Sequence, residues 1–331
     1  MATPVSSSGT SKVALITGIT GQDGAYLAQS LLAKQYKVVG TTRSTEDRNL
    51  WRLKALGIER QVECRVFASF TVDSFRQLVE ETECVEIYCL AAQSSVGRSL
   101  EEPYPTITSI VFDTSVILEA LRLAKRKVKV FFPCSSEVFG ANEGNPIDES
   151  TVFNPANPYS AARVATYYLI REYRNRYNLH LVIGFLSNHE SPLRGDDFVT
   201  RKIVKTACDI FEGKTNVLEL GNIDIVRDWG WAPEYVEAMW LMLRSDLCKD
   251  YIIATGRSFA LKEFLGAVFG VLKMDWEKYI RINPKFMRSN DHAVLRVNPA
   301  AIMKDLQWQA KMDALDVAVR MTEEELRARG I

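Results

Sequence analysis

Short apolar runs alternate with segments of helical spacing along the first half of the chain. The apolar runs predict buried strands, and the periodic segments between them predict helices. The repeated strand–helix order indicates an α/β fold built on a doubly wound parallel sheet. The predicted strands cover residues 13–16, 37–42, 85–90, 128–132 and 179–186, and the predicted helices cover residues 25–32, 112–124 and 159–177.

A glycine-rich turn joins the first predicted strand to the first predicted helix. Its spacing is Gly-x-x-Gly-x-x-Gly, from Gly18 through Gly21 to Gly24. Glycines at such a turn let the backbone approach a pyrophosphate, whose charge then lies at the positive N-terminus of the helix. This spacing is usual in folds of the short-chain dehydrogenase type and predicts a dinucleotide-binding Rossmann domain. An ordinary glycine turn without a ligand is the alternative.

The second half of the chain is less regular. It contains predicted strands at residues 217–220 and 251–254 and predicted helices at residues 235–243, 261–272 and 315–327. We predict a Rossmann domain over residues 12–187, to which later strands near residues 217–256 return. A smaller mixed α/β domain then covers residues 188–331. Residues 1–11 are small and polar and predict a disordered tail.

Composition and charge exclude several classes of protein. The 331 residues carry 41 basic and 41 acidic side chains, so no net field favours nucleic acid or an acidic membrane surface. No apolar run reaches the length needed to span a membrane. The six cysteines are scattered without a Cys-x-x-Cys pair or a histidine cluster, which predicts a reducing, cytoplasmic environment and no metal site.

A tyrosine and an arginine one helical turn apart form the candidate catalytic pair. Tyr159 and Arg163 lie on one face of a predicted helix. A cation one turn from a phenol favours the ionised phenol, so Tyr159 is a candidate base. This spacing also arises by chance, but Ser135 and Glu137, upstream at the end of a predicted strand, support a catalytic role.

A series of motifs then carries a specific resemblance, from Lys12 to the C-terminal region. In order, the motifs are residues 18–24, Leu90-Ala91-Ala92-Gln93-Ser94, Ser135-Ser136-Glu137, Asn157-Pro158-Tyr159-Ser160-Ala161-Ala162-Arg163, Asn188-His189-Glu190-Ser191-Pro192-Leu193-Arg194-Gly195, Phe198-Val199-Thr200-Arg201-Lys202, Arg227-Asp228-Trp229-Gly230 and Ala254-Thr255-Gly256. This series resembles the GDP-mannose 4,6-dehydratases of the extended short-chain dehydrogenase/reductase superfamily. The implied enzyme is an NADP-dependent nucleotide-sugar 4,6-dehydratase, a lyase of deoxyhexose biosynthesis.

The resemblance implies which residues bind the cofactor, NADP. An arginine after the second strand, Arg43, suits a 2′-phosphate better than an acidic residue does; a solvated loop residue is the alternative. The implied cofactor-binding residues are Gly18, Thr20, Gly21, Gln22, Asp23, Gly24, Arg43, Leu90, Ala91, Ala92, Gln93, Ser94, Tyr159, Arg163, His189 and Arg194.

The resemblance also implies a GDP-sugar site, chiefly in the second domain. Guanidinium groups such as Arg227 suit bidentate contacts with phosphates; a surface salt bridge is the alternative for Arg227 and Arg288. The block around Arg288 matches only in part. The implied substrate-binding residues are Ser94, Ser135, Glu137, Asn188, Val199, Lys202, Arg227, Arg288 and Asp291.

The implied reaction is an internal redox dehydration of GDP-mannose to GDP-4-keto-6-deoxymannose. Tyr159 takes the proton of the C4 hydroxyl while a hydride leaves C4 for NADP. The resulting ketone acidifies the C5 hydrogen, which Glu137 removes as the C6 hydroxyl leaves as water, assisted by Ser135. The hydride then returns to C6, and Arg163 completes the implied catalytic set.

Several positions depart from the family pattern. Arg163 stands where the family has lysine, and a planar guanidinium does not replace an ammonium without consequence. Ala68 stands where an aspartate is expected against the adenine, and Cys89 replaces an asparagine. All three positions belong to the cofactor half of the predicted site. A polar insertion that some members carry before the Arg288 region is absent.

Two alternatives to this enzyme remain open. The first is a dehydratase or reductase that acts on another GDP-sugar, such as GDP-heptose, although Glu137 argues against a pure reductase. The second is a catalytically impaired paralogue that binds a nucleotide sugar, suggested by Arg163 and Ala68. The resemblance further implies a homodimer or homotetramer, with residues 43–52 reaching a neighbouring subunit's cofactor.

Overall fold

The centre of the protein is a parallel sheet of seven strands. The computed structural model describes residues 11–67, 69–140, 146–287 and 294–331. In chain order its strands are β1 (Val13–Thr17), β2 (Lys37–Thr42), β3 (Glu63–Val66), β4 (Glu86–Cys89), β5 (Lys129–Ser135), β6 (His180–Leu186), β7 (Asn188–Glu190), β8 (Leu218–Leu220), β9 (Val226–Arg227), β10 (Trp229–Trp231), β11 (Tyr251–Ile253), β12 (Phe259–Ala260) and β13 (Ile280–Ile282).

The order of the strands creates a crevice beside β1. The sheet reads β11-β6-β5-β4-β1-β2-β3, with every neighbouring pair parallel. The chain runs outward from β1 through β2 to β3, then returns to place β4 on the other side of β1. Ligands of such sheets bind at this reversal, beyond the carboxyl ends of the strands. The predicted doubly wound α/β fold is thus confirmed.

Helices cover both faces of the sheet. One apolar layer packs α1, α2, α9 and α11 against the sheet, and the opposite layer packs α3, α6 and α7. The helices are α1 (Gln22–Ala33), α2 (Asp47–Ala55), α3 (Val72–Thr82), α4 (Val96–Glu101), α5 (Pro103–Ile107), α6 (Asp113–Leu123), α7 (Pro158–Tyr177), α8 (Val199–Phe211), α9 (Ala232–Arg244), α10 (Leu261–Val271), α11 (Ala300–Leu306) and α12 (Ala314–Arg329).

A third apolar core forms a smaller mixed α/β part. It gathers α8, α10 and α12 around the short strands β8 and β10. The short strands pair two by two, β7 with β10, β9 with β12 and β8 with β13. The predicted smaller mixed α/β part is therefore also confirmed, while its limits at residues 188–331 stay a prediction.

Several elements differ from the sequence pattern for physical reasons. Strand β3 was not predicted because Glu63 and Arg65 alternate with short side chains at the polar edge of the sheet. Of the two later predicted strands, β11 joins the sheet beside β6, whereas β8 pairs with β13 outside it. A π-helical turn, Thr108–Phe112, precedes α6.

Two further predictions concern the N-terminal tail and membrane-spanning segments. The predicted disordered tail falls almost wholly on residues 1–10, which lie outside the described residues. Among the residues that are described, no helix is both long and apolar enough to cross a bilayer.

A buried carboxylate, Asp228, connects the sheet to the smaller part. It accepts hydrogen bonds from the backbone amides of Thr255 and Gly256 at 3.1 and 2.8 Å, beyond the end of β11. It also accepts from the hydroxyls of Ser187, after β6, and Thr255, at 3.0 and 2.9 Å. Tyr235 of α9 donates to the same carboxylate at 3.4 Å. Strands β6 and β11 and helix α9 therefore converge on one side chain.

Replacement of Asp228 by Asn should destabilise the fold. The amide keeps one acceptor oxygen and places a donor at the other position, so either the Thr255 amide, which binds Oδ1, or the Gly256 amide, which binds Oδ2, loses its acceptor. We expect the free energy of unfolding in urea to fall by about 2–4 kcal/mol. Asp224→Asn is the matched control, because its pair with Lys262 is exposed and should contribute less than about 1 kcal/mol. Equal losses in the two variants would contradict this role of Asp228.

Candidate active site

The predicted site residues meet at the carboxyl edge of the sheet. The glycine turn follows β1, residues 90–94 follow β4, and Glu137 follows β5. The register pairs Thr17 with Cys89 and Ser135 with Leu186, so adjacent strands end at the same level. Asn188 and His189 follow β6 at the same edge. Sequence-distant motifs are thereby brought to one crevice.

The glycine turn packs so closely that side chains are excluded. Gly18 has a φ of +72°, and a Cβ there would lie 2.8 Å from the backbone of Ala91. A Cβ on Gly24 would lie 2.4 Å from the carbonyl oxygen of Gly18. Gly21, the N-cap of α1, has no side chain that could accept from the first amides of α1, and these amides lie at the crevice end of the helix. Uncapped amides at a helix N-terminus suit a phosphate.

Two side chains of the glycine turn, those of Gln22 and Asp23, contact other residues of the protein. The buried side chain of Gln22 donates to the carbonyl of His189 at 3.1 Å and accepts from Ser191 at 2.8 Å. Asp23 lies 3.0 Å from Nε2 of His189. Gln22 and Asp23 therefore fasten α1 to β7, and a cofactor would meet the backbone of the turn, which they hold.

His189 is positioned as a buried cation. Its Nδ1 lies 2.8 Å from the carbonyl of Ser187 and its Nε2 faces the carboxylate of Asp23, so both ring nitrogens face acceptors. Burial opposes the charge, but Asp23 outweighs it and raises the pKa of His189. Burial likewise opposes the Asp23 charge, yet His189 lowers the pKa of Asp23 to about 2. The ring also stacks on Tyr235 at 4.7 Å between centroids.

Two further ionic side chains brace the same wall and were not among the predicted site residues. Arg52 of α2, in the segment predicted to reach a neighbouring subunit, donates to the carbonyls of Thr20 and Leu193 of its own chain at 3.0 and 2.7 Å. Buried Glu190 lies 3.1 Å from Nε of the predicted cofactor residue Arg194, four residues along the chain. The motif at residues 188–195 contains Glu190 and could have identified it, whereas the partners of Arg52 are backbone carbonyls distant in the chain.

The segment after β4 forms the opposite wall of the crevice. The amide of Ala91 donates to the hydroxyl of Thr17 at 3.1 Å, and the side chain of Gln93 donates to the carbonyl of Ser95 at 2.8 Å. Leu90, Ala91, Ala92 and Gln93 are half-buried, and Ser94 is exposed. The side chain of Cys89 packs in the apolar layer that contains α3, α6 and α7. Its departure from the family pattern therefore changes the packing of this layer.

Tyr159 and Arg163 lie in the first turns of α7, and both are buried. Asn157 caps this helix, accepting from the amide of Ser160 at 2.9 Å. The guanidinium carbon of Arg163 lies 5.3 Å from the centre of the Tyr159 ring. Arg163 donates through one Nη to the carbonyl of Pro133 on β5 at 2.9 Å.

The Arg163 guanidinium is only partly satisfied. Its Nε is buried without a hydrogen-bond partner among the described residues. A buried donor without a partner is costly, so this atom has an unmet hydrogen bond that a polar ligand beside Tyr159 would satisfy. The Tyr159 ring itself packs against Ile110 of the π-helical turn.

Glu137 lies beside a buried arginine from the smaller part. Ser135 accepts from the Glu137 amide at 3.2 Å and so caps the single turn that carries the carboxylate. Oε1 of Glu137 lies 3.4 Å from Nε of Arg227, with 16% and 5% of the two side chains exposed. The predicted base and a predicted phosphate ligand are thus in direct contact.

The other predicted substrate residues are distributed over the smaller part. Asn188 begins β7 and lies opposite Trp229, and Val199 begins α8. Lys202 donates to the carbonyl of Glu219 at 2.7 Å and lies 4.0 Å from the Phe286 ring centre. Burial lowers the pKa of Lys202. The predictions for Ala68, Arg288 and Asp291 fall outside the described residues.

The fold and this crevice define a Rossmann-type protein, with a doubly wound parallel sheet and a glycine turn after its first strand. Solved structures share this fold. A dTDP-glucose 4,6-dehydratase from Streptomyces venezuelae, solved with NAD bound, matches with a TM-score of 0.84 at 21% identity, covering 96% of this chain and 98% of that chain. RMD from Pseudomonas aeruginosa, complexed with NADPH, matches with a TM-score of 0.77 at 18% identity, covering 95% and 99%.

Sequence comparisons narrow the class to one family. The family model described as GDP-mannose 4,6 dehydratase matches residues 15–321. GDP-mannose 4,6 dehydratase 1 of Arabidopsis thaliana is 36% identical, over 95% of this chain and 90% of the relative. GDP-mannose 4,6-dehydratase of Sinorhizobium fredii is 37% identical, over 95% and 97%. The chain belongs to the GDP-mannose 4,6-dehydratase family.

The charge on His189 should make stability depend on pH. A raised pKa means that its contribution is complete below its ordinary value of 6.5 and is lost as pH rises through the folded-state value. We expect the difference in unfolding free energy between wild type and His189→Gln to shrink by about 1–2 kcal/mol as pH rises past that value. Urea unfolding from pH 6 to pH 9 measures it.

His180 provides the contrasting variant. Burial lowers the pKa of this half-buried histidine, so its contribution should be lost as pH falls, the opposite direction. If the wild type and His189→Gln differ by the same free energy at every pH, folding does not raise the pKa of His189.

Proposed function

We propose that the protein is a GDP-mannose 4,6-dehydratase that works with NADP. The observation that carries this proposal is the carboxylate of Glu137 at the end of β5, in a chain of this family that also keeps Tyr159. Elimination of water needs a base for a carbon-bound hydrogen as well as a base for a hydroxyl. A simple ketone reductase does not need a base for a carbon-bound hydrogen.

The residues present fit a nicotinamide dinucleotide. The crowded glycine turn and the uncapped N-terminus of α1 suit its pyrophosphate, and the unpartnered Nε of Arg163 suits a ribose hydroxyl. Arg43 is exposed directly after β2, where no acidic side chain competes with a 2′-phosphate. When bound, NADP supplies the acceptor and the later donor of the hydride.

The substrate would lie across the crevice between the sheet and the smaller part. Arg227 is the candidate ligand of the diphosphate, because a guanidinium matches phosphate oxygens in pairs. Asn188, Val199 and Lys202 are the candidates that contact the rest of the nucleotide. Glu137, in contact with Arg227, is then near the sugar that follows the diphosphate.

Three side chains divide the chemistry in this mechanism. Tyr159, with the cation of Arg163 one turn away, accepts the proton of the C4 hydroxyl as C4 becomes a ketone. The ketone makes the C5 hydrogen acidic, and Glu137 removes it. Protonated Glu137 then gives its proton to the departing C6 hydroxyl, which leaves as water, while Ser135 holds the hydroxyl by a hydrogen bond. This sequence returns Glu137 to its carboxylate form. When the hydride is returned to C6, C5 takes up a proton, and the proton that Tyr159 took from the C4 hydroxyl balances this step.

Alternative functions predict other outcomes in the same assay. The purified protein is incubated with GDP-mannose and a trace of NADP, and the sugar nucleotide is followed by mass spectrometry. Loss of one water with no net change in the cofactor supports the dehydratase. Stoichiometric consumption of added NADPH would indicate a reductase. Binding of GDP-mannose without turnover would indicate another sugar substrate or an impaired paralogue, the latter suggested by Arg163 and Ala68.

Variants of the two bases should stop the reaction at different steps. Glu137→Gln should still oxidise C4, so reduced cofactor accumulates at up to one equivalent per site while water loss falls by about 100-fold or more. Tyr159→Phe should show neither reduced cofactor nor water loss. Absorbance at 340 nm and mass spectrometry report the two steps. Normal dehydration by Glu137→Gln would exclude this mechanism.

The preference for NADP over NAD should depend on Arg43. Loss of this guanidinium in Arg43→Ala should weaken NADP binding by about tenfold, the scale of one charge-assisted contact, and should leave NAD binding unchanged. Arg327→Ala is the matched control, since Arg327 is exposed beside Glu323 on α12, outside the segment 43–52. Equal losses for the two cofactors would show that Arg43 does not recognise the 2′-phosphate.

Assembly and location complete the proposal. Leu100, Tyr104, Ile107 and Phe112 expose large apolar surfaces on successive helical turns before α6, which supports a homodimer or homotetramer. The six cysteines are all free thiols, which supports a reducing compartment such as the cytoplasm.

A further inference from the structure

The ion pair between Glu137 and Arg227 joins two groups that the reaction needs separately. Both side chains are largely shielded from water, and Oε1 of Glu137 lies 3.4 Å from Nε of Arg227. Partial burial strengthens the attraction, because little solvent screens it. The contact occupies Oε1 of Glu137, an oxygen that the proposed function requires to take the C5 proton. While the pair persists, that oxygen faces Arg227 and is not free to act as a base.

The backbone of Arg227 is firmly held, so that a change of partner would involve its side chain alone. Arg227 lies opposite Phe259 in the β9–β12 pair, and the next residue is the buried Asp228. Its guanidinium also donates to the carbonyl of Val226 at 3.0 Å. The guanidinium is thus attached to a rigid element and lies within reach of Glu137.

A diphosphate and a carboxylate can both accept hydrogen bonds from this guanidinium. Both are anions with oxygens that accept in pairs, and the diphosphate carries the larger charge. We propose that Glu137 and the substrate diphosphate compete for Arg227, so that binding of the diphosphate draws the guanidinium away and frees Glu137 to act as a base. The inference rests on the proposed function, in which Arg227 binds the diphosphate.

This competition links the two ends of the substrate. The part of the substrate that does not react would activate the base that attacks the reacting sugar. Binding energy from the nucleotide would thus be used at the reacting centre. The internal pair would in turn spare the carboxylate of Glu137 an unpaired, partly buried charge before the substrate binds.

The first test is the affinity for GDP, measured by calorimetry on the full-length protein. Glu137→Gln removes the competitor and should bind GDP about tenfold more tightly than wild type does. Glu212→Gln is the control, because Glu212 pairs with Lys214 and Arg329 at the far end of α8, and its GDP affinity should equal that of wild type. Unchanged or weaker binding by Glu137→Gln would overturn the proposal.

A double-mutant cycle separates competition from simple repulsion between Glu137 and the diphosphate. In an Arg227→Gln background, competition is absent, so Glu137→Gln should no longer improve GDP binding. Repulsion alone would preserve the improvement, and that result would overturn the proposal. If Arg227→Gln does not fold, a structure of wild type with GDP decides: the guanidinium must lie on the diphosphate, and persistence of the 3.4 Å contact would refute the inference.

Failure of this inference and failure of the proposed function are distinguishable. A wild-type protein that binds GDP and dehydrates GDP-mannose, but whose Glu137→Gln variant binds GDP no better, retains its function and lacks the competition. A wild-type protein that does not bind GDP at all contradicts both.

Discussion

One buried carboxylate holds the candidate site together. Asp228 accepts hydrogen bonds from the segments that follow β6 and β11 and from α9, and burial raises its pKa. Arg227 precedes it in the chain, and the Ser187 that donates to it also binds His189 through its carbonyl. The cofactor wall and the substrate arginine are therefore positioned from one point. Loss of that point would disturb both halves of the site.

Pairs of opposite charge recur around the crevice. Asp23 faces His189, Glu190 faces Arg194, and Glu137 faces Arg227. The first pair joins α1 to β7, and the third joins the turn after β5 to β9. The second pair lies within the segment that follows β6. A buried charge is tolerated only when it is paired, so these pairs hold the walls in place and also determine which charges a ligand must replace.

Arg163 shows how a departure from the family pattern is accommodated. Its longer side chain reaches the carbonyl of Pro133, two residues before Ser135, and so connects the helix of the candidate base to the strand that leads to Glu137. The guanidinium still places a cation beside Tyr159, and its Nε stays available to a ligand. Arginine thus provides the charge expected of lysine and adds a contact with the sheet that an ammonium would make less well.

The parallel sheet, most of its strands and the motifs of the candidate site could be predicted from the amino-acid sequence, because apolar periodicity and glycine spacing are local signals. The edge strand β3 was missed, since its polar residues lack that periodicity. The folded structure was needed to show that Gln22 fastens α1 to β7, that Asp228 joins three elements and that Glu137 contacts Arg227. These contacts join residues far apart in the chain, and a charged side chain's role depends on the partner that folding places beside it.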